Sequence, residues 1–296
     1  MASSNRDAKP LLAYPPQPLT EQRPEEGTYL AERSRPLPLL SPTASSGGMS
    51  HPSEGTLPYI ESESAPAADR YAMILKNLQV FSGTNPILRD VTLAVRKNRL
   101  LGVLGESGAG KTTFLRLIAR KLNEAVLTIS GKGRFPEEIW FIAQEDVLYE
   151  YDTPIRALTF LHEMLYGLDA EKAEAASLEL LMRVRFPVER IYEFIGIPDN
   201  GLSVGSRRLL NVATALCAKA KVILLDEPTT GLDSSTAANL CSVLASICRS
   251  LDCTCICTIH QPSDEALAHF DDLIVMSEGE AYVAPSSDSV ERINND

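Results

Sequence analysis

Nine consecutive residues, Gly105-Glu106-Ser107-Gly108-Ala109-Gly110-Lys111-Thr112-Thr113, fit the pattern G-x-x-x-x-G-K-[ST]. Their chemistry is that of phosphate binding. The glycines let the backbone wrap so that its N–H groups face an anion, and the start of a following helix adds its own free N–H groups. In such a loop Lys111 reaches the β and γ oxygens of a triphosphate and the Thr112 hydroxyl holds Mg²⁺. The pattern lies between an apolar run at 100–104 and an amphipathic segment from Lys111, the strand and helix that this loop needs on either side.

A second apolar run, Val222-Ile223-Leu224-Leu225, ends in Asp226-Glu227 and then Pro228-Thr229-Thr230-Gly231-Leu232-Asp233. A strand buried in a parallel sheet delivers such carboxylates to the crevice at its C-terminal end. There Asp226 would hold the Mg²⁺ shell and Glu227 would orient and deprotonate an attacking water. A phosphate loop with an acidic strand would also suit kinases, GTPases or RecA-like ATPases. What separates these is Gln144 after a further apolar run, Leu202-Ser203-Val204-Gly205 opening a helix, Asp233 just beyond the acidic strand, and His260 ending another strand.

In this order and spacing the set resembles the ABC ATPase family, in which these landmarks are the Q-loop, the signature, the D-loop and the switch histidine. The segments IWFIAQEDVLYEYDTPIRALTF at 139–160 and TIHQPSDEALAHFDDLIVMSEGE at 258–280 are similar to the G subfamily of ABC transporters. The resemblance covers about 72–285. It implies a P-loop NTPase (RecA-like) α/β core with an antiparallel β subdomain and an inserted α-helical subdomain at about 150–205. It also implies ATP and Mg²⁺ as cofactors, held in a sandwich dimer. Gly105, Glu106, Ser107, Gly108, Ala109, Gly110, Lys111, Thr112 and Thr113 would bind the phosphates of one nucleotide, and Ser203 and Gly205 would act on the nucleotide of the partner. Glu227 would be the general base, assisted by Lys111, His260 and Gln144. Thr112, Gln144 and Asp226 would attend the metal, and Asp233, in the D-loop, would join in binding the nucleotide. Phe81 is the candidate for stacking on adenine, with a plain core aromatic as the other reading.

Two departures stand out. The family signature reads Ser-Gly-Gly followed by Gln or Glu, and here it reads Ser203-Val204-Gly205-Ser206. Valine adds a β-branched side chain and excludes positive φ at that position. This leaves two readings: a heterodimer with one good hydrolytic site, or a homodimer that tolerates the valine. In addition, the stretch between Lys111 and Gln144 is shorter than in typical relatives, as though a hairpin were trimmed.

The elements that must position these residues begin at Tyr71. From there apolar runs alternate with helical patterns, and about 225 residues suffice for one large core. Strands are expected at 73–80, 91–95, 100–104, 126–130, 139–143, 222–226, 254–259 and 273–277. Helices are expected at 111–122, 154–166, 170–183, 187–194, 206–219, 234–249 and 263–270, with no strand between 144 and 203. The first 69 residues hold eleven of the nineteen prolines together with Ser/Gly/Glu clusters, and are expected to be disordered; 70–296 is the expected ATPase domain.

A net charge of −11 and only small Arg/Lys clusters exclude phosphate-backbone binding to nucleic acid as a main function. The six cysteines, with Cys253, Cys255 and Cys257 alternating along one run, suit core packing rather than metal binding. The N-terminus has no apolar signal region, and no run approaches the roughly 18 residues of a membrane span. A soluble chain at the cytoplasmic face of a membrane is expected, and Asp7-x-x-x-Leu11-Leu12, the form of an acidic dileucine signal, leaves an endomembrane open. The expected partners are a second ABC ATPase domain and a membrane-spanning transporter domain. An ATP-binding regulatory subunit that drives no transport is the alternative.

Overall fold

The computed structural model describes residues 70–123, 126–145, 147–196 and 201–284. The Pro-rich segment 1–69, the Asp7 to Leu12 pattern and Asp146 lie outside them.

A long hairpin opens the fold. Strands β1 (Tyr71–Ser82) and β2 (Asn85–Arg96) pair antiparallel, and β4 (Leu127–Arg134) lies along the other side of β1, giving the order β2-β1-β4. In β1 the buried residues are Met73 and Leu75, then Leu78 and Val80. The change of parity coincides with a register shift between Leu75 and Leu78, where Asn77 takes φ 50°. This bulge keeps the apolar side chains on one face, which an unbroken period of two would not.

The second sheet has the order β5-β6-β7-β3-β8-β9. Strands β3 (Leu100–Gly105), β5 (Ile139–Ile142), β6 (Val222–Leu225), β7 (Thr254–Thr258) and β8 (Asp272–Ser277) are parallel, and β9 (Glu280–Ala284) returns antiparallel on β8. β6 and β7 are buried throughout, which explains their unbroken apolar composition: both faces are covered. On one face α1 (Lys111–Ile118) contributes Phe114, Leu115, Leu117 and Ile118 to a core shared with the three-stranded sheet. On the other lie α4 (Val204–Cys217) and α5 (Ser234–Ser250). That core extends to α2 (Pro154–Tyr166) and α3 (Ala170–Arg183), which pack on each other through Leu158 and Leu181 and meet at a buried His162–Ser177 hydrogen bond of 2.9 Å. The described residues between 147 and 196 contain no strand.

Cys217, Cys241, Cys248, Cys253, Cys255 and Cys257 are all free and buried. Burial pushes the Cys241 thiol up to about 12, so it stays protonated and serves as packing. The edge strand β5 leaves Trp140 36% exposed beside a cavity of about 510 Å³ that also reaches Ala143, Glu145 and Leu148. None of the described helices is long and apolar enough to cross a membrane.

Four expectations about elements need correction. The helix expected at 187–194 is only a 3₁₀ turn, Val188–Arg190. Backbone groups around it are claimed from outside: Ile155 N–H donates to Ile191 O at 3.2 Å and Ile195 N–H to Asp152 O at 2.9 Å, closing the segment as a loop. α1 stops at Ile118 rather than 122 because Arg120 turns left-handed, φ 53°, and Lys121 N–H donates back to Arg116 O. The helix expected at 263–270 is the short α6, Asp264–Leu267. β9 has no counterpart among the expected strands. Its signal was the Glu278-Gly279 turn, both residues at positive φ (48° and 84°), the conformation that closes a two-residue hairpin.

Candidate functional site

The phosphate loop leaves β3 at Gly105 and enters α1 at Lys111. Gly105 has φ 150°, and a Cβ there would stand 2.2 Å from the Met276 carbonyl oxygen, so β8 leaves room only for glycine. Gly110 has φ 99° under Leu88 of β2. Below the loop, Gly279 N–H donates to Ala109 O at 3.2 Å while Arg89 N–H donates to Gly279 O at 2.7 Å. The first sheet, the last hairpin and the loop are thus joined at one glycine. Lys111 is 5% exposed, and its ammonium donates to Gly105 O at 2.7 Å and Glu106 O at 2.9 Å, folded over the loop it serves. Ser107, Gly108 and the Glu106 side chain are exposed, Ala109 is buried, and Thr112 and Thr113 are partly buried on the first turn of α1.

β6 and β7 bring the acids to this loop. Asp226 is buried, its N–H donating to Ile142 O at 3.0 Å, and its Oδ1 accepts from Thr112 Oγ1 at 3.2 Å. Two hard oxygen donors from loop and strand therefore meet at one point, a donor set that suits a cation such as Mg²⁺. Glu227 is held in the left-handed region, φ 47°, an unfavourable backbone for a residue with a Cβ. Its Oε2 accepts from Gln144 Nε2 at 3.2 Å and from Thr230 Oγ1 at 3.1 Å. Ile259 N–H donates to Val103 O at 3.0 Å, extending the pairing of β7 with β3, and His260 follows at once, exposed. Ser107, Glu227, Gly231, Leu232, Ser234 and His260 line one cleft of about 530 Å³.

Asp233 caps α5: its Oδ1 accepts from Thr236 N–H at 3.0 Å and Ser235 Oγ at 2.6 Å, and its Oδ2 from Thr236 Oγ1 at 2.6 Å. These donors, Ser235 first, hold the carboxyl well below the usual range.

Ser203 and Gly205 do not line the cleft. Gly205 stands against the 230–236 segment, where a Cβ on it would meet Thr236 Cγ2 at 2.8 Å and Leu232 Cδ2 at 3.9 Å. Ser203 is the N-cap of α4, and its Oγ accepts from Ser206 N–H at 3.2 Å and stands 3.0 Å from the Ser206 hydroxyl. Val204 is the first residue of that helix and is not among the positive-φ residues. That agrees with a β-branched residue that excludes positive φ, and what the valine adds at this position is side-chain bulk. Phe81 is partly buried at the tip of the first hairpin, in register with Pro86, next to the stretch of β2 that passes over Gly110.

Two residues of this site carried no role in the sequence reading. Thr258 ends β7 wholly buried against Asp226 and Glu227. Arg208, 5% exposed on α4, donates through its guanidinium to the carbonyls of Ala143 and Gln144. The start of the signature helix is thereby fastened to the backbone of the Gln144 loop. No local pattern marks either residue, since each acts across elements distant in sequence.

The sequence profile of the ABC transporter family matches residues 88–230. These residues are an ABC transporter domain. The relatives of this ABC domain are G-type transporters and their kin. The opaque-specific ABC transporter of Candida albicans is 32% identical over 216 residues, covering 69% of this chain and 14% of its own length. ABC transporter G family member 23 of Arabidopsis thaliana is 28% identical over 228 residues, 72% of this chain and 36% of its own. ABC transporter G family member 6 of Dictyostelium discoideum is 31% identical over 202 residues, 65% of this chain and 13% of its own. The chain thus spans between about an eighth and about a third of the length of these relatives. An ATP-binding cassette solved as a dimer in a post-hydrolysis state with ADP and Pi has the same P-loop NTPase fold. It superposes with a TM-score of 0.59 at 20% identity, over 73% of this chain and 100% of that one.

Proposed function

We propose that this ABC domain binds and hydrolyses Mg-ATP as the nucleotide-binding domain of a G-type half-transporter, working at the cytoplasmic face of a membrane with a second ABC ATPase domain and a membrane-spanning domain. The observation that carries the reading is the convergence of Ser107 of the phosphate loop, Glu227 and His260 on one cleft, with Thr112 of the same loop hydrogen-bonded to Asp226, the residue before Glu227. The loop amides and Lys111 bind the phosphates, Lys111 exchanging the carbonyls of Gly105 and Glu106 for phosphate oxygens. Thr112 and Asp226 hold the metal, with Gln144 beside them; when bound, Mg²⁺ neutralises charge on the β and γ oxygens and polarises the bond to be broken. Glu227, with its carboxylate oriented by Gln144 and Thr230, takes a proton from the attacking water, and His260 supports the γ-phosphate from the opposite wall. Ser203 and Gly205 lie off the cleft, as residues serving a partner's nucleotide would, and Asp233 fixes the segment between the two surfaces. Phe81 at the hairpin tip is the candidate for the adenine.

The first test is a thermal shift of the purified chain with ATP and Mg²⁺, run beside ATP with a chelator and accompanied by phosphate release. Stabilisation that needs both metal and nucleotide is expected, and its absence would sink the reading. The relatives are named as transporters, which supports transport over a regulatory subunit that drives none.

The partner in this reading is a different ABC chain. Val204 and Ser206 supply bulk and a short hydroxyl where the signature offers a close backbone and a long polar side chain, and the Ser206 hydroxyl is spent on Ser203. The site built from this signature is then weak, while the chain's own cleft is complete. Installing Val204→Gly with Ser206→Gln is expected to raise the ATPase rate of the chain alone by about tenfold or more, since one phosphate-facing donor contributes roughly 10²–10³ in other hydrolytic sites. An unchanged rate would favour the homodimer.

A further inference from the structure

We propose that Thr258 is a positioning residue that locks Asp226 and Glu227 into one arrangement before metal or nucleotide arrives. The proposal rests on the ATPase reading above and adds to it a residue, the first of the segment 258–280, to which none of the landmarks gives a role.

Thr258 is the last residue of β7 and is 0% exposed. Its hydroxyl donates to Asp226 Oδ1 at 2.8 Å and accepts the Glu227 N–H at 2.8 Å. A threonine hydroxyl has one proton and two lone pairs, so both bonds form at once with defined roles. The two acids are neighbours on the chain, yet their needs differ. Asp226 must keep its carboxylate turned towards Thr112, and Glu227 must keep a left-handed backbone, φ 47°, that its own side chain disfavours. One buried hydroxyl from the adjacent strand meets both needs.

The sharing of Asp226 Oδ1 gives this tie a function. That oxygen accepts from Thr112 at 3.2 Å as well as from Thr258. When Thr112 turns its oxygen to a metal, its hydrogen bond to Asp226 can be given up, and Thr258 keeps the carboxylate in place. Removing the Thr258 hydroxyl takes this partner from a part-buried N–H and a buried carboxylate oxygen, in the residues proposed to address the metal and the water.

Three variants separate positioning from mere packing. Thr258→Val keeps shape and removes the hydroxyl, Thr258→Ser keeps the hydroxyl, and Thr258→Cys replaces it with a weak donor. Each is measured beside the parent for melting temperature without ligand, for the Mg²⁺ concentration at half-maximal ATP-induced stabilisation, and for kcat and KM. Thr258→Val is expected to need about tenfold more Mg²⁺ and to lose about 10–100-fold in kcat, since the Glu227 N–H loses its partner and the Asp226 carboxylate keeps only its bond to Thr112. KM for ATP is expected to move less than about threefold. Thr258→Ser is expected to restore both values, and Thr258→Cys to follow Thr258→Val. Should Thr258→Val fail to fold, the Ser and Cys pair makes the same comparison. A parental Mg²⁺ midpoint and kcat in Thr258→Val, or in Thr258→Cys in that case, would overturn the proposal even if the melting temperature fell. A parent that shows no Mg²⁺-dependent nucleotide binding would instead remove the ATPase reading itself.

Discussion

Glu227→Gln is expected to lower ATP turnover by about 10²–10⁴-fold, the range of general-base contributions, while ATP is still bound. The amide keeps the size of the side chain and its place beside Gln144 and Thr230, whose donors reach Oε2 at 3.2 and 3.1 Å. What it loses is the capacity to take a proton from water. Nucleotide retention should therefore persist, since the groups proposed for binding, Lys111, the loop amides, Thr112 and Asp226, are untouched. Single-turnover phosphate release, measured with nucleotide-induced thermal stabilisation on the same preparation, separates the two properties. Parental turnover in this variant would remove Glu227 from the chemistry, and loss of stabilisation would mean that its carboxylate holds the site together rather than acting on water.

Gly105→Ala is expected to abolish nucleotide binding and to destabilise the domain by about 3 kcal/mol or more, adding backbone strain to overpacking. Its Cβ would stand 2.2 Å from the Met276 carbonyl oxygen at φ 150°, and that oxygen belongs to β8, the strand paired with β3 from Leu101 to Gly105. Relief requires either the strand pair or the loop to move, and the loop carries the groups proposed to bind phosphate. At about 2–4 °C per kcal/mol for a domain of this size, the melting temperature should fall by about 6–12 °C. Gly108→Ala is the control: its φ of 84° strains an added Cβ, but nothing stands within 4 Å of it, so the smaller effect is expected there. Equal melting temperatures for parent and Gly105→Ala would contradict this account of the loop.

How far the site was legible depended on how local its chemistry is. The strand–loop–helix at 100–118 could be read because the glycines, lysine and threonine proposed to act together lie within nine residues, between a strand and a helix that announce themselves by their apolar patterns. Asp226 and Glu227 could be read because a fully apolar strand points its end at a crevice. Thr258 could not. It is an ordinary β-branched residue in a strand, and its meaning comes from residues 226 and 227, 32 and 31 positions away, brought beside it by the pairing of β6 and β7. Arg208 counted in the sequence only as half of a small Arg207-Arg208 cluster, whereas it is buried with its guanidinium on the backbone of the Gln144 loop. Element types followed the apolar periodicity, and the misses came where single residues at positive φ, as at Arg120, or hydrogen bonds from outside a segment decided the outcome. Around 187–194 helical composition yielded to a backbone clasp with residues 152–155. At 280–284 a five-residue strand owes its existence to β8 alone.

The chain contains a single tryptophan, Trp140, and the fold puts it on the open edge of β5, four positions ahead of Gln144 and partly exposed to solvent. Indole emission from this protein therefore has one origin, close to the loop that Arg208 fastens to the signature helix. Any rearrangement there on adding nucleotide would register as a spectral change in the unlabelled molecule, with no dye to introduce and no second fluorophore of its kind to subtract.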